Sequence, residues 1–314
     1  MLLRNILFSN KKKDILFFSM EIIPYDKRSG KIWFNGKAVN WKDAQIHVLN
    51  HGLHYASCVF EGERVYDGEI FKLEEHTERL FYSAKRMGIK VPYSQTEINE
   101  ACKNIVNIQK VKNGYVRPVI WRGSEMMAIS AQKNKIHVAI ATWEWGSYFD
   151  PKLKVEGIKL NISKWRRPAP DTIPWDTKAS GLYMICTLSK HEAEKQGYTD
   201  SLMLDHEGNI AEATGANIFF KDNNGELHTP VPDSFLDGIT RRTVIEIAKS
   251  KNIKVNERKI KPEELKNFVG CFLTGTAAEV TPVSCIAENK YKVCEVIIDL
   301  NESYQKLVKK KKAA

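Results

Sequence analysis

The 314-residue chain is predicted to fold as an α+β protein, with two mixed domains and a cleft between them. Three observations carry that expectation. The length suits two domains of ordinary size. Hydrophobic residues make up 43% and charged residues 27% of the chain, enough apolar material for sizeable cores under a charged surface. Strand-like and helix-like stretches also mix on both sides of one polar segment, "GSYFDPKLKVEG", punctuated by Gly146, Pro151 and Gly157. That segment sets a linker at 146–157 between a smaller first domain at 20–145 and a larger second domain at 158–314, which ends in a basic tail.

Taken in order, "KIWFNGKAV" reads as two short strands around an Asn-Gly turn. "HVLNHGLHYASCVFEGERVYDGEIFKL" continues in the same strand-like style, with a second turn at Asp67-Gly68. Leu80, Phe81, Ala84, Met87 and Ile89 then recur at helical spacing, and Gly88 lies near the close of that helix. In "SQTEINEACKNIVNIQK", Ser94 and Glu97 form a capping-box pattern ahead of a second helix. "YVRPVIWRG" and "IHVAIATWEWG" are rich in β-branched and aromatic residues and read as strands. Beyond the linker, "LYMICTLSKHEAEKQG" is a helix stopped by Gly197. A run of hairpins follows over 201–230, then the helix "GITRRTVIEIAKSKNI", then strand and turn in "CFLTGTAAEVTPVSCI".

The net charge of +10 is mostly terminal. The first 19 residues contribute +3 and the lysines at 309–312 a further +4, leaving about +3 for everything between. Such runs read as solvated tails rather than a nucleic-acid surface. The opening "MLLRNILFSNKKKDILFFS" has the wrong order for a secretory signal, and Met20 is an alternative start. We therefore expect residues 1–19 to be disordered or untranslated. No apolar run approaches the roughly 20 residues needed to span a bilayer. Six cysteines are scattered without a CxxC or a metal-ligand spacing, so no metal site is expected and a reducing, cytoplasmic setting fits.

Chemistry is concentrated around "AEATGANIFF". Glu212 stands among small residues, directly ahead of an apolar pair. Burying such an acid without a cationic partner costs several kcal/mol or forces its neutralisation. Asn217, Phe219, Thr229, Leu236, Gly238, Ile239 and Arg241 follow in order. This ordered set resembles the signature of the class IV pyridoxal-phosphate aminotransferases. "FEGERVY", "YVRPVIW", "SKWRRPAPDTIPWDTK", "TKASGLY" and "TGTAAEVTPV" resemble further blocks of that family, most closely its branched-chain amino-acid aminotransferases, over about Ile32 to Pro282.

The resemblance implies the fold type IV of pyridoxal-phosphate enzymes, like that of D-amino-acid aminotransferase. Its smaller N-terminal domain is α/β and its larger C-terminal domain a pseudo-barrel. It implies pyridoxal 5′-phosphate as cofactor, with Lys178 as the catalytic lysine that bonds it and moves a proton. Glu212 would face the pyridine nitrogen and favour its charged form. Tyr183 would hydrogen-bond the ring's phenolic oxygen. Arg79, Ile239, Thr240 and Thr276 would hold the phosphate, the middle two at a helix start where free N–H groups attract anions. Tyr55, Phe60, Trp145, Tyr148 and Ala277 would wall the substrate pocket, and Tyr115 and Arg117 would meet carboxylates. Glu63 and Leu182 depart from the family's usual residues and flank pocket positions, which bears on substrate preference. The implied reaction moves the amino group of leucine, isoleucine or valine to 2-oxoglutarate, in a homodimer or larger homo-oligomer. D-amino-acid transamination and aminodeoxychorismate cleavage occur on the same fold. "YVRP" with Trp145 and Tyr148 points away from both.

Overall fold

Left-handed backbone at Asn35-Gly36 and Asp67-Gly68, with φ of 49°, 94°, 50° and 89°, turns the chain back on itself twice and starts the first sheet. In the computed structural model, residues 23–146, 148–149 and 151–309 are described; the expected N-terminal extension and most of the basic tail lie outside them. The first hairpin is β1 (Lys31–Phe34) and β2 (Lys37–Asn40). A short helix α1 (His51–Tyr55) leads to β3 (Cys58–Phe60), β4 (Glu63–Tyr66) and β5 (Glu69–Ile70). Two longer helices, α2 (Leu73–Arg86) and α3 (Gln95–Gln109), precede β6 (Gly114–Arg122) and β7 (Ile136–Glu144). These strands form one antiparallel sheet in the order β2-β1-β7-β6-β4-β5, with β3 also on β6.

The 3.6-residue periodicity of α2 and α3 is what lets them cover this sheet. Leu80 and Ala84 of α2 and Ile98 and Ile105 of α3 pack on Val65, Val116 and Ile120. Ser94 and Glu97 make the reciprocal capping box expected of them. One stretch departs from the expectation. The stretch from His47 reads as strand-like, yet Val48, Leu49, Leu53 and the preceding Ile46 are exposed and the chain enters α1. Their apolar pattern marks a surface rather than a core-facing strand.

The linker region is also more regular than its composition suggests, holding α4 (Pro151–Glu156). Proline suits the first helical position, where its missing N–H has no partner to lose, and Leu153 packs on the next core. Then follow β8 (Ile158–Arg166), α5 (Met184–Lys195), β9 (Asp200–Leu204), β10 (Ile210–Ala213), β11 (Asn217–Lys221) and β12 (Leu227–Thr229). The chain ends with α6 (Ile239–Ser250), β13 (Val255–Glu257), β14 (Gly270–Gly275), β15 (Glu279–Ile286), β16 (Asn289–Lys290) and α7 (Glu295–Val308), the last a helix that the sequence reading had not assigned.

The second sheet runs β10-β9-β8-β15-β14-β11-β12-β13, and β10 also pairs with β11. Six strands therefore close on themselves as a barrel. The closing rung is Glu212 opposite Asn217. Ile158, Leu202, Ile218, Phe220, Leu273 and Val283 belong to one core of this unit. The alternate residues Phe219 and Phe272 stack at 5.0 Å on the other face, in the core shared with Val244 of α6 and Leu300 of α7. Being buried on both faces explains why "NIFF" reads as a continuous apolar run. Among the described residues, no helix is long and apolar enough to cross a membrane.

The two departures noted in sequence, Glu63 and Leu182, both turn into the first core instead of the cleft. Leu182 is at home there. Glu63 is fully buried and neither carboxyl oxygen has a hydrogen-bond partner. Burial, followed by the neighbouring Glu61 charge, holds it protonated well above the usual carboxylate range, against the pull of Arg79. A buried polar group left unpaired costs about 1–3 kcal/mol. Glu63→Leu should therefore raise the urea midpoint, by about 1–2 kcal/mol of stability. The unfolded chain ionises this acid above its ordinary pKa while the folded chain keeps it protonated, so the gain should grow from about pH 5 to about pH 7. A lowered midpoint at both pH values would show that Glu63 has a stabilising role.

Candidate active site

Lys178 reaches the centre of the molecule because its backbone is held from two sides. Its N–H donates to Ser83 Oγ of α2 at 3.0 Å, and its carbonyl accepts from the Phe60 N–H at 3.1 Å. The next residue, Ala179, bridges to Val59 of β3. Just before it, Asp176 is bound by Tyr82 and, at 3.3 Å, by Arg86, both also on α2. So held, the Lys178 amine lies 2.7 Å from Tyr183 Oη and 4.8 Å from the centre of the Phe60 ring. Loss of solvent pushes the amine below the usual lysine range; Glu61 opposes this and the Arg79 charge adds to it. Burial, reinforced by the Glu212 charge, pushes the Tyr183 phenol up.

Across the same cavity stands Glu212, on the rung that closes the barrel. One of its oxygens accepts from Asn217 Nδ2 at 3.2 Å. The other is 3.4 Å from Arg167 Nε, whose own hydrogen bond is left unmade. Burial raises the carboxyl to about 7, with Arg167 and Lys178 only partly restoring the charged form. An acid this buried and this loosely paired is suited to a cationic group entering the cavity. Asn217 does a second job. Its Nδ2 also donates to the Leu236 carbonyl at 3.0 Å, and its Oδ1 accepts from Gly238 N–H at 3.1 Å. A Cβ at Gly238 would lie 2.2 Å from that oxygen, so any larger residue would displace the Asn217 amide from its hydrogen bonds.

Gly238 begins α6, and no side chain caps it. The first-turn N–H groups at Ile239 and Thr240 therefore open on the cavity as an anion site. Arg79 approaches the same end. Glu61 grips it through Nε at 2.7 Å and Nη2 at 3.0 Å, while His76 Nδ1 lies 2.8 Å from the same carboxylate. Burial alone would raise the Glu61 carboxyl, but Arg79 and then His76 hold it well below the usual range. Arg79 is thus oriented before any ligand arrives. Thr276 and Ala277, on the β14–β15 turn, complete this wall.

An adjoining cleft opens past Lys178 and Tyr183 and is lined by Phe60, Tyr115, Arg117, Trp145, Tyr148 and Ala277. Tyr115, Trp145 and Tyr148 meet edge to face, at 4.7 and 5.8 Å. Arg117 lies 4.6 Å from the Phe60 ring centre and 3.4 Å from Tyr115 Oη, with Nε unpaired.

Thirteen of the fourteen residues singled out from sequence thus surround these two connected spaces. Tyr55 does not. It is 41% exposed on α1, stacked on His51 at 4.6 Å, and borders neither space. The sequence reading missed Glu61, His76, Arg167 and the bridging role of Asn217. Glu61 and Arg167 lie in the motifs "FEG" and "SKWRRP", and His76 opens "HTERL" one helical turn before Arg79, so a signal existed for each.

The residues at the head of the cavity suit a phosphate, and the acid at its far side suits a cationic ring nitrogen. The comparisons with known proteins agree. Residues 58–286 match the family described as Amino-transferase class IV. A probable branched-chain-amino-acid aminotransferase of Rickettsia felis is 42% identical over 92% of this chain and 100% of that protein. The branched-chain-amino-acid aminotransferase of Pseudomonas aeruginosa is 42% identical over 82% and 84%. Among solved structures, a branched-chain amino acid aminotransferase with pyridoxamine 5′-phosphate superposes with a TM-score of 0.86 at 36% identity, covering 90% of this chain and 95% of that one. That of Escherichia coli gives 0.83 at 36% identity with the same coverage. The chain belongs to the class IV aminotransferases, pyridoxal-phosphate enzymes, and within them to the branched-chain amino-acid aminotransferases.

Proposed function

We propose that this chain exchanges the amino group between L-leucine, L-isoleucine or L-valine and 2-oxoglutarate, yielding the branched 2-oxo acid and L-glutamate. The observation that carries this reading is one cavity bordered by Lys178, Tyr183, Glu212, Arg79 and the uncapped start of α6, opening on an aromatic cleft that holds one arginine. When bound, pyridoxal 5′-phosphate supplies an aldehyde that takes up amino groups and a ring that accepts the electrons left as the substrate Cα loses its proton.

Lys178 would hold the cofactor, and its amine, with its pKa lowered by burial, would take and return the Cα proton. Tyr183 orients that amine through the 2.7 Å contact. Glu212 keeps the ring nitrogen charged, and Arg167 and Asn217 keep Glu212 in place. Arg79, the backbone at Ile239 and Thr240, and the Thr276 hydroxyl hold the phosphate. Phe60, Trp145, Tyr148 and Ala277 enclose a branched side chain, while Arg117 and Tyr115 pair with the carboxylate of glutamate. Alternating between aliphatic and acidic side chains in one space suits a guanidinium that rests against aromatic faces when unpaired.

The two sheets are read as two domains meeting at 146–157. A homodimer is part of this proposal. Tyr55 sits on α1, whose His54 and His51 rings reach the carbonyls of Val48 at 2.9 Å and Ala128 at 3.0 Å, and Val48, Leu53 and Ile129 are exposed apolar groups that a second copy would cover, with Tyr55 serving that copy's cleft. A cytoplasmic location fits six free cysteines.

Purified protein should convert L-leucine and 2-oxoglutarate with parallel double-reciprocal lines, the pattern of two half-reactions sharing one site. Turnover with D-alanine alone would reverse the assignment. Lys178→Ala should lower turnover by about 10³-fold or more and remove the long-wavelength absorbance of the bound cofactor; wild-type turnover would eliminate Lys178 as the base. Glu212→Gln should retain cofactor yet slow the single-turnover rate with leucine, and an unchanged rate refutes its role. The same variant tests the charge state. With cofactor removed, the folded Glu212 titrates at about 7 against 4.5 unfolded. The wild-type protein should therefore lose up to about 3 kcal/mol of stability as pH rises between those values, then level off. Glu212→Gln should remove that share of the slope and leave the part that Glu63 contributes, as read from urea midpoints of the two proteins across the range.

A further inference from the structure

The turn between β14 and β15 runs through residues 276–278 and closes on Glu279, whose φ is +55°. Three-residue hairpin loops end on a left-handed residue, a position that ordinarily falls to glycine. A non-glycine residue held in that conformation points to a constraint imposed by its surroundings. Here the constraint is visible. The Glu279 side chain is buried, and its Oε1 accepts from Tyr66 Oη at 2.8 Å while Oε2 accepts from Lys154 Nζ at 2.6 Å. Gln305 adds a further hydrogen bond. Burial alone would raise this carboxyl, yet Lys154, Tyr66 and Gln305 hold it below the usual range, so it is charged.

Its partners come from three elements. Tyr66 belongs to β4 of the first sheet, Lys154 to α4 and Gln305 to α7. Upstream of α4 lie Trp145 and Tyr148, which wall the cleft. Two residues before Tyr66 on β4, Arg64 donates Nη1 to the carbonyls of Trp145 at 3.1 Å and Gly146 at 2.9 Å. Trp145 and Lys154, on either side of Tyr148 in the chain, are thus both tied to β4, the first directly through Arg64 and the second by way of Glu279 through Tyr66. On the opposite side of Glu279, its own turn presents Thr276 to the phosphate end and Ala277 to both spaces.

We propose that Glu279 is a positioning residue for substrate binding: it latches the aromatic wall of the cleft, through Lys154 and Tyr66, to the turn carrying Thr276 and Ala277, and so sets the width of the cleft. This rests on the reading of that cleft as the amino-acid site. A latch of this kind acts on substrate affinity rather than on proton transfer, because Lys178 and Tyr183 are held by α2 and β3 instead.

The test compares holoenzymes of wild type, Glu279→Gly, Lys154→Met and the double variant. Glycine tolerates the left-handed backbone, so Glu279→Gly removes the latch without imposing strain on the turn. Both single variants should raise KM for L-leucine and for 2-oxoglutarate by about tenfold, with kcat within about threefold of wild type. Bound-cofactor absorbance should be unchanged. The double variant should be no worse than the worse single one, as befits two ends of one contact. Unchanged KM in Lys154→Met, additive effects, or a fall in kcat with KM constant would each overturn the latch. Wild type is run alongside, and whichever amino acid it turns over takes the place of leucine, so an error in the substrate assignment is told apart from an error here.

Discussion

A single rung of backbone pairing, Glu212 opposite Asn217, closes the six-stranded barrel and at the same time places a carboxylate in the wall of the central cavity. Structure and chemistry meet at that rung. Asn217 spans it, one amide atom on the acid and another on the N–H of Gly238 that starts α6. The acid at the foot of the cavity and the anion site at its head are therefore fixed to the same side chain. Glu212, Asn217 and Ile239 are all buried, so neither end can shift without disturbing the barrel core. Close packing of that kind turns a local hydrogen bond into a long-range distance constraint.

Helix α2 performs the complementary task from the other sheet. Arg79 lines the cavity beside the start of α6, Ser83 takes the Lys178 backbone N–H, and Tyr82 and Arg86 grip Asp176 two residues earlier. One rigid helix thus measures the separation between the proposed phosphate clamp and the proposed catalytic amine. Its apolar stripe, Leu80 and Ala84, docks it on the first sheet, so the packing of that core is transmitted to the site. The two halves of the cavity are built by different sheets, and the Lys178 segment crosses from one to the other.

Buried ionisable groups occur throughout this centre, and most are arranged in satisfied sets. Glu61 is shared between Arg79 and His76, Glu279 among Tyr66, Lys154 and Gln305, and Arg241 among Asp237, Glu257 and the Pro230 carbonyl. Desolvation there is offset by hydrogen bonds made to the charged form. Glu212 and Glu63 differ. Glu212 is loosely paired where a ligand would complete it, whereas Glu63 is unpaired in a core that offers nothing. The same physical state, a raised carboxyl, has a chemical use in one place and none evident in the other.

Much was legible in the sequence because it is written in local rules. The capping box of Ser94 and Glu97, the Asn-Gly and Asp-Gly hairpins and the helical periods of α2, α3 and α6 need only neighbouring residues to be read. The ordered motifs carried the family and thirteen residues now found around one pair of spaces. Other features depended on partners distant in the chain. That Ile46, Val48, Leu49 and Leu53 lie on the surface, that Tyr55 lies outside its own cleft, and that Glu63 and Leu182 enter the core are outcomes of tertiary packing, which alternation along one strand cannot specify. Glu61 on Arg79, Arg167 near Glu212 and Glu279 on Lys154 bring together residues between 18 and 125 positions apart. The sequence alone determined which chemical groups this protein possesses and which local elements carry them. Only the tertiary structure decided which groups lose water together, and it is shared desolvation that sets their charges, their partners and hence their use.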